Sequence, residues 1–440
     1  LMKNLLIRYR IPLIFIIDLA IALVALLLMI LLRYGAVDFT KQLKLHILPF
    51  TIITILFTLI FYIFNLYSSR FNRNITEFNN SFIKSLTISF VISVFIFYIF
   101  GTFFKLTPKI NLILFTGIFG IIDFYARIHL KRYFIKKGWD RKIVLIGSTE
   151  SNLVKELRHN QNIGYKIIKE QENLDLNEIL QTSPDIVVVD THSINQTEEI
   201  CAINKKGIQI YTLGNFYEEV FQKIPIDNVD LNEILNYISN NQPIFNFIKR
   251  SMDIVLSILL LILFSPFLII TAVFVKITST GPILIRQTRV TKNEENFTLY
   301  KFRSMISISP DGQAETSGPV WTENTNTDPR ITSFGRLIRK SHLDELPQLF
   351  NILKGDISFV GPRPERPEFV TSLRKDILYY DLRHSVKAGL TGWAQVNYKY
   401  GASVEDAKEK LKYDFYYMKN RSIFFDFLII LKTIAEVFRY

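Results

Sequence analysis

IVLSILLLILFSPFLIITAVFV, residues 254–275, is the stretch whose reading decides how this chain is built. Its 22 residues carry no charge and would reach ~33 Å as a straight helix, enough to cross a bilayer. Two features argue against a simple crossing. Ser265-Pro266 sits in the middle, where proline removes a backbone hydrogen bond and bends a helix. Both flanks are basic, with Lys249 and Arg250 before and Lys276, Arg286 and Arg289 after. A crossing helix should instead leave its cations mainly on one side. The pattern favours a segment of about 250–276 that dips into one leaflet and returns, both ends in the cytoplasm. The alternative is a fifth ordinary span, which would put the rest of the chain outside.

Upstream, four further apolar runs occupy about 11–32, 45–64, 82–104 and 110–126. The first three suit spanning helices, and the fourth, ending near Asp123, is marginal. The first is too long for a signal-peptide core and lacks a small-residue cleavage site, so a permanent anchor is expected. With both ends inside, the inner segments hold Lys3, Arg8, Arg10, Arg70, Arg73, Lys84, Arg127, Lys131, Arg132, Lys136 and Lys137. The outer loops hold Arg33, Lys41, Lys44, Lys105 and Lys109. That bias places the N-terminus, and everything after residue 127, in the cytoplasm.

The composition agrees. The net charge of +12 suits anionic lipid or phosphate, and the long apolar runs argue against nucleic acid. The single cysteine, Cys201, excludes an internal disulfide framework, and six scattered histidines give no zinc spacing. Between the apolar regions, strand-like runs at 142–148, 184–190 and 207–211 alternate with helical stretches, a βαβ pattern with a parallel sheet. Only Gly147 stands where a dinucleotide loop wants three glycines, so this region reads as a scaffold rather than a cofactor site.

The chemistry-bearing residues follow residue 276. Residues 282–305 read as a hairpin turning at 292–296, with Lys301 and Arg303 on one strand face. Such a pair could grip a phosphate; a solvated charged edge is the plainer reading. Between Asp328 and Asp344 lie Arg330, Arg336, Arg339 and Lys340, with no acid. Leu343-Asp344-Glu345-Leu346-Pro347-Gln348-Leu349 comes next, with apolar residues at 346, 349, 350 and 353 in helical spacing and Gly355 as a stop. Pro347 is tolerated only in a first turn, so the helix should begin at about Asp344. A carboxylate there stays ionised, and the same helix end favours a bound phosphate. An ionised carboxylate facing a phosphate is a nucleophile's arrangement, and Glu345 adds a second oxygen donor for Mg²⁺. In isolation the pair would be only an Asp cap with a first-turn Glu. The loop Gly361-Pro362-Arg363-Pro364-Glu365-Arg366-Pro367 would present Arg363 to a phosphate with little entropy left to lose; in isolation a stiff polyproline connector is an equal alternative. Residues 423–438 read as an interfacial or packing helix.

Together these motifs resemble the bacterial polyprenyl-phosphate hexose-1-phosphate transferases, or monotopic phosphoglycosyl transferases. The matching pieces are Lys301-Phe302-Arg303-Ser304-Met305, Asp328-Pro329-Arg330, the Leu343–Leu349 run and Val360-Gly361-Pro362-Arg363-Pro364. Downstream, Gly389-Leu390-Thr391-Gly392-Trp393-Ala394-Gln395-Val396-Asn397, Tyr413-Asp414 and Tyr416-Tyr417 also match. The resemblance covers roughly 245–440, and the upstream regions resemble the family's long form, which starts exopolysaccharide, capsule or O-antigen units. It implies a membrane protein in three parts. A four-helix transmembrane bundle takes 1–137, a degenerate Rossmann-like (CoA-binding-like) cytoplasmic domain 138–240, and an α+β catalytic domain with a re-entrant helix 241–440.

The resemblance further implies that Asp344 attacks the β-phosphate of a UDP-sugar, expelling UMP and leaving a covalent phosphosugar. Undecaprenyl phosphate, or another polyprenyl phosphate, then takes the sugar phosphate. Glu345 would assist through Mg²⁺ held by Asp344 and Glu345, and Lys301, Arg303, Arg330, Arg339, Arg363 and Asp414 would bind substrate or phosphate. Ser265 and Pro266 match the family's helix break. The setting implied is a bacterial inner membrane, multi-pass, with the catalytic part facing the cytoplasm, membrane lipid and a homodimer as partners. The chain departs from the family at Lys387-Ala388-Gly389, where Lys-Pro-Gly is usual, and at 398–403, where short members carry Gly-Arg-Asn. Two other readings compete. A membrane-bound nucleotide-sugar dehydratase needs a second Rossmann domain with a glycine-rich loop, and no such loop follows residue 240. A non-catalytic scaffold for polysaccharide assembly would not need the acidic pair with Arg363 and Lys301.

Overall fold

The computed structural model describes residues 10–36, 38–64, 66–67, 75–99, 101–104, 109–136, 141–147, 151–159, 165–173, 175–190, 197–226, 242–306, 330–398, 401 and 403–437. Outside the described residues lie Lys3, Arg8, Arg70, Arg73, Lys105 and Lys137, Asp328-Pro329, and the domain limits expected at 137/138 and 240/241. The chain divides into two compact units, Leu1–Phe216 and Tyr217–Tyr440.

The first unit opens with helices α1 (Arg10–Tyr34), α2 (Phe39–Ile63), α3 (Ile75–Ile99) and α4 (Lys109–Lys136). All four are long and apolar enough to cross a membrane. The abundance of phenylalanine has its reason here: Phe50, Phe57, Phe61, Phe115 and Phe119 interlock at the centre, Phe50 edge-on to Phe115 at 5.0 Å. α4, the run that looked marginal, continues past Asp123 because its charges are paired inside. Arg127 bonds Asp123 at 2.8 Å, Asp18 of α1 at 2.5 Å and the Leu66 carbonyl at 2.9 Å, while Tyr67 donates to Asp18. Arg127, expected among the inner-flank cations, therefore lies within the fourth apolar helix.

Next come β1 (Arg141–Ile146), β2 (Tyr165–Gln171), β3 (Ile186–Val189) and β4 (Gln209–Thr212), all parallel in the order β2-β1-β3-β4. Val144, Ile146, Val187 and Val189 form its core. β2 was missing from the sequence reading. It is an edge strand whose Lys166, Lys169 and Glu170 break the apolar run.

The second unit begins at Tyr217. Ile224 and Ile226 are buried in the same core as Leu349, Val360, Trp393, Leu411 and Tyr413. Lys223 pairs with Glu409, and the Trp393 indole donates to the Gln222 carbonyl at 2.9 Å. Helix α5 (Pro243–Thr278) then runs 36 residues, continuous through Pro266, where Ser265 turns its hydroxyl back onto the Ile262 carbonyl at 2.8 Å. Both of its ends are tied to this unit. Near the start, Arg250 donates to the carbonyls of Ile352 and Leu353 at 2.6 and 2.7 Å, and Asp253 accepts from Ser358 and the Phe359 amide. Near the end, Phe274 stacks on Phe334 at 5.3 Å, and Val275 packs with Phe302 and Ile338. Between these anchorages, Ile262, Leu263, Phe267 and Ile269 are exposed.

The hairpin follows as expected: β5 (Leu284–Val290) pairs antiparallel with β6 (Asn296–Phe302), Ile285 opposite Lys301. A second small pair, β7 (Ser358–Val360) and β8 (Gly389–Thr391), is parallel. The glycine motifs belong to this pair. A Cβ on Gly361 would stand 2.2 Å from the Lys387 oxygen, and one on Gly389 2.1 Å from the Gly361 nitrogen. The segment expected to be an interfacial or packing helix is α-helical over Ile423–Val437, burying Ile429 and exposing Phe424, Phe427 and Ile434.

Candidate active site

Asp344 does not begin the helix. Residues Leu343–Glu345 form a single 3-10 turn, and helix α6 (Gln348–Lys354) starts behind Pro347. Proline has no N–H to close an i→i−4 bond, so the preceding turn tightens instead. Its amides bond three residues back, Glu345 to His342 at 3.1 Å and Leu346 to Leu343 at 3.3 Å. His342 enters this turn in the left-handed region at φ 55°. The stop at Gly355 is as expected, with φ 100°.

The turn places the two carboxylates in different surroundings. Glu345 Oε1 accepts from Lys301 Nζ at 2.7 Å and from Arg363 Nη2 at 3.3 Å. Burial opposes its charge, but Lys301 and Arg363 outweigh it and hold its carboxyl well below the usual range. Asp344 is buried, yet no hydrogen bond reaches its carboxylate among the described residues. Burial pushes it up against the pull of Lys301 and Arg339, and the neighbouring charge of Glu345 adds to the rise. The helix-end argument for a freely ionised Asp344 is thus corrected: desolvation wins, and the firmly ionised member is Glu345. β6 is held against α6 by Asn351, which donates to the Thr298 carbonyl at 2.7 Å and accepts from the Tyr300 amide at 3.0 Å.

The other expected site residues divide. Lys301, Arg363 and Arg339 converge on the pair. Arg303 turns away: it is buried and donates to the carbonyls of Val275 and Ser279, closing the end of α5. Lys301 and Arg303 therefore do not share a phosphate-facing surface. Arg330 lies beside the bridge between Met305 and Ile331, its carbonyl accepting from the Ile306 amide. Asp414 is 2% exposed and pairs with buried Arg383 at 2.9 Å. Sequence spacing gave no sign of Asn351 or Arg383, because each acts across elements far apart in the chain. Ser265 and Pro266 stand in mid-helix, and the break expected at this pair is not seen as an interruption, because the helix runs on through Pro266.

Asp344 and the second oxygen of Glu345 are hard oxygen donors of the kind magnesium takes alongside water and phosphate. A second acidic group, Glu294, Asp381 and His384, has ligand atoms within 4.8 Å of one another. There the Arg374 guanidinium already lies 2.8 Å from each carboxylate, so this cluster reads as an ion-pair staple.

A family model described as "Bacterial sugar transferase" matches residues 244–440, which include every residue of the site above. Among curated relatives, "UDP-N-acetylgalactosamine-undecaprenyl-phosphate N-acetylgalactosaminephosphotransferase" of Aeromonas hydrophila is 41% identical over 230 residues, 52% of each chain. "UDP-glucose:undecaprenyl-phosphate glucose-1-phosphate transferase" of Escherichia coli is 40% identical over 193 residues, 43% of this chain and 40% of that one. This chain thus spans about half or less of the length of these two. "Undecaprenyl-phosphate galactose phosphotransferase" of Salmonella typhimurium is 31% identical over 344 residues, 68% of this chain and 69% of that one. With a relative matched over two thirds of its length and a family model over the whole site, the chain belongs to the bacterial sugar transferase family.

Proposed function

We propose that this protein transfers a sugar 1-phosphate from a UDP-sugar to a polyprenyl phosphate, undecaprenyl phosphate in bacteria, and releases UMP. The observation that carries this reading is the split dyad: a buried Asp344 carboxylate without a hydrogen bond among the described residues, beside cations gathered on Glu345. Burial strips part of the solvent from the Asp344 carboxylate, and a partly desolvated carboxylate is a better nucleophile than a fully solvated one. The names of the three relatives agree on undecaprenyl phosphate and differ in sugar, so the proposal extends to UDP-sugars as a class.

In the first step an Asp344 oxygen attacks the β-phosphorus. The bond from that phosphorus to the bridging oxygen breaks, and UMP leaves with the electron pair. In the second step a phosphate oxygen of the lipid attacks the same phosphorus, freeing Asp344 and giving a lipid diphosphosugar. Lys301 and Arg363 stand 2.7 and 3.3 Å from Glu345, close enough to pass to the phosphate oxygens as charge builds there. A magnesium ion held by Asp344 and Glu345 would supply further positive charge against the diphosphate. Burial raises Asp344, and Lys301 and Arg339 beside it work the other way, favouring the ionised form that attacks.

The membrane reading belongs with this. α1 to α4 would form the transmembrane bundle, and α5 would enter one leaflet and return, leaving the site on the cytoplasmic face of the inner membrane. Supporting the dip are the basic flanks and the anchorage of both ends of α5 on one compact unit. The test is product identity. Membranes carrying the protein, given UDP-sugars, Mg²⁺ and polyprenyl phosphate, should release UMP. Release of UDP would mark an ordinary glycosyltransferase and end the proposal.

A further inference from the structure

The proline loop that carries Arg363 has an unusual shortage. Pro362, Pro364 and Pro367 have no N–H, so the loop can offer few backbone donors. Its carbonyls are instead held from outside, one after another. Pro362 O accepts from the Gly389 amide at 2.9 Å, and Arg363 O from Arg383 Nη2 at 3.1 Å. Pro364 O accepts from Arg289 Nη1 at 3.2 Å, and Glu365 O from the Val290 amide at 2.9 Å. Two of the four donors are thus arginine side chains.

Arg383 is itself fixed. It is 6% exposed, pairs with Asp414 at 2.9 Å, and donates to the Tyr380 hydroxyl at 2.7 Å. A buried guanidinium is costly unless its charge is met, so Asp414 is what allows Arg383 to stand there. Asp414 lies on the helix Val404–Lys419, whose buried face joins the main core through Leu411, Tyr413 and Phe415. A continuous line of contacts therefore runs from that core to the backbone of Arg363.

We infer that Arg383, held by Asp414, is a positioning residue that sets Arg363 over Glu345 by fixing the Arg363 carbonyl. This rests on the proposed reaction and deepens it. Asp414 then acts on the substrate only through Arg383 and Arg363, and does not itself touch a phosphate.

The test is a double-mutant cycle in the full-length protein, reading UMP release and KM for the UDP-sugar. Arg383→Gln should lower kcat/KM on the order of 100-fold, the scale of a misplaced binding group, mostly through KM. Asp414→Asn should do the same, and serves if Arg383→Gln fails to fold. In an Arg363→Ala background either change should add less than about two-fold, because the group being positioned is gone. A merely structural role would multiply the losses and shrink the active fraction at unchanged KM, and that result would overturn the inference. Wild-type protein that releases no UMP would instead overturn the proposed reaction.

Discussion

At the scale of single residues, the acidic pair works by division. Glu345 collects Lys301 and Arg363, while Asp344 stays buried without a hydrogen bond among the described residues. Residue types made the pair legible in the sequence, but its partners were not. Lys301 lies 44 residues from Glu345, and nothing in the spacing says that Arg303 would turn to α5 instead. The division predicts a pH dependence. A protonated Asp344 cannot attack, so activity is lost as pH falls through its raised pKa. Lys301 holds that pKa down, so Lys301→Met should move the acid limb of the kcat profile to higher pH, besides lowering the rate. An unmoved limb in a folded variant would separate Lys301 from Asp344. Glu345→Gln should remove the anchor of both cations and cost on the order of 100-fold in kcat/KM, scored by UMP release.

Among the elements, patterns set by local chemistry could be read directly and patterns set by neighbours could not. The β5–β6 hairpin and the Gly355 stop follow from turn residues and a left-handed glycine. The start of α6 was misplaced because Pro347 tightens the turn ahead of it. β2 was missed because an edge strand tolerates charge. The glycines of the Gly-Pro-Arg-Pro and Gly-Leu-Thr-Gly motifs are explained by the closeness of β7 and β8, which no single-chain pattern displays. Gly361→Ala should therefore destabilise by about 1–3 kcal/mol or more, since the atom it would strike is backbone. Gly214→Ala, whose new Cβ meets nothing within 4 Å on a helix, should instead be neutral or stabilise by about 0.5–1 kcal/mol. Thermal melts in one detergent compare the two, and equal shifts would contradict the packing argument.

For the molecule as a whole, the five long apolar helices were visible as hydropathy, and the parallel sheet as alternation. The start of the second compact unit was not, because residues 217–226 look like any αβ connection until Ile224 and Ile226 are seen in its core. A shortened chain beginning at 242 should melt about 10 °C or more below one beginning at 217, from the loss of two buried isoleucines and the Lys223–Glu409 pair. Equal melting would make the segment dispensable. For the dip of α5, single cysteines placed before residue 250 and after 280 should both be labelled only from the cytoplasmic side. Labelling from opposite sides would restore a fifth span.

The central claim is that Asp344 carries the sugar phosphate. The direct measurement is intact-protein mass spectrometry after brief exposure to UDP-sugar and Mg²⁺ without lipid acceptor, with fragmentation to locate the added mass. The account predicts one phosphosugar on Asp344, discharged on adding polyprenyl phosphate and absent in Asp344→Asn. UMP release with no adduct, or an adduct that persists in Asp344→Asn, would contradict it.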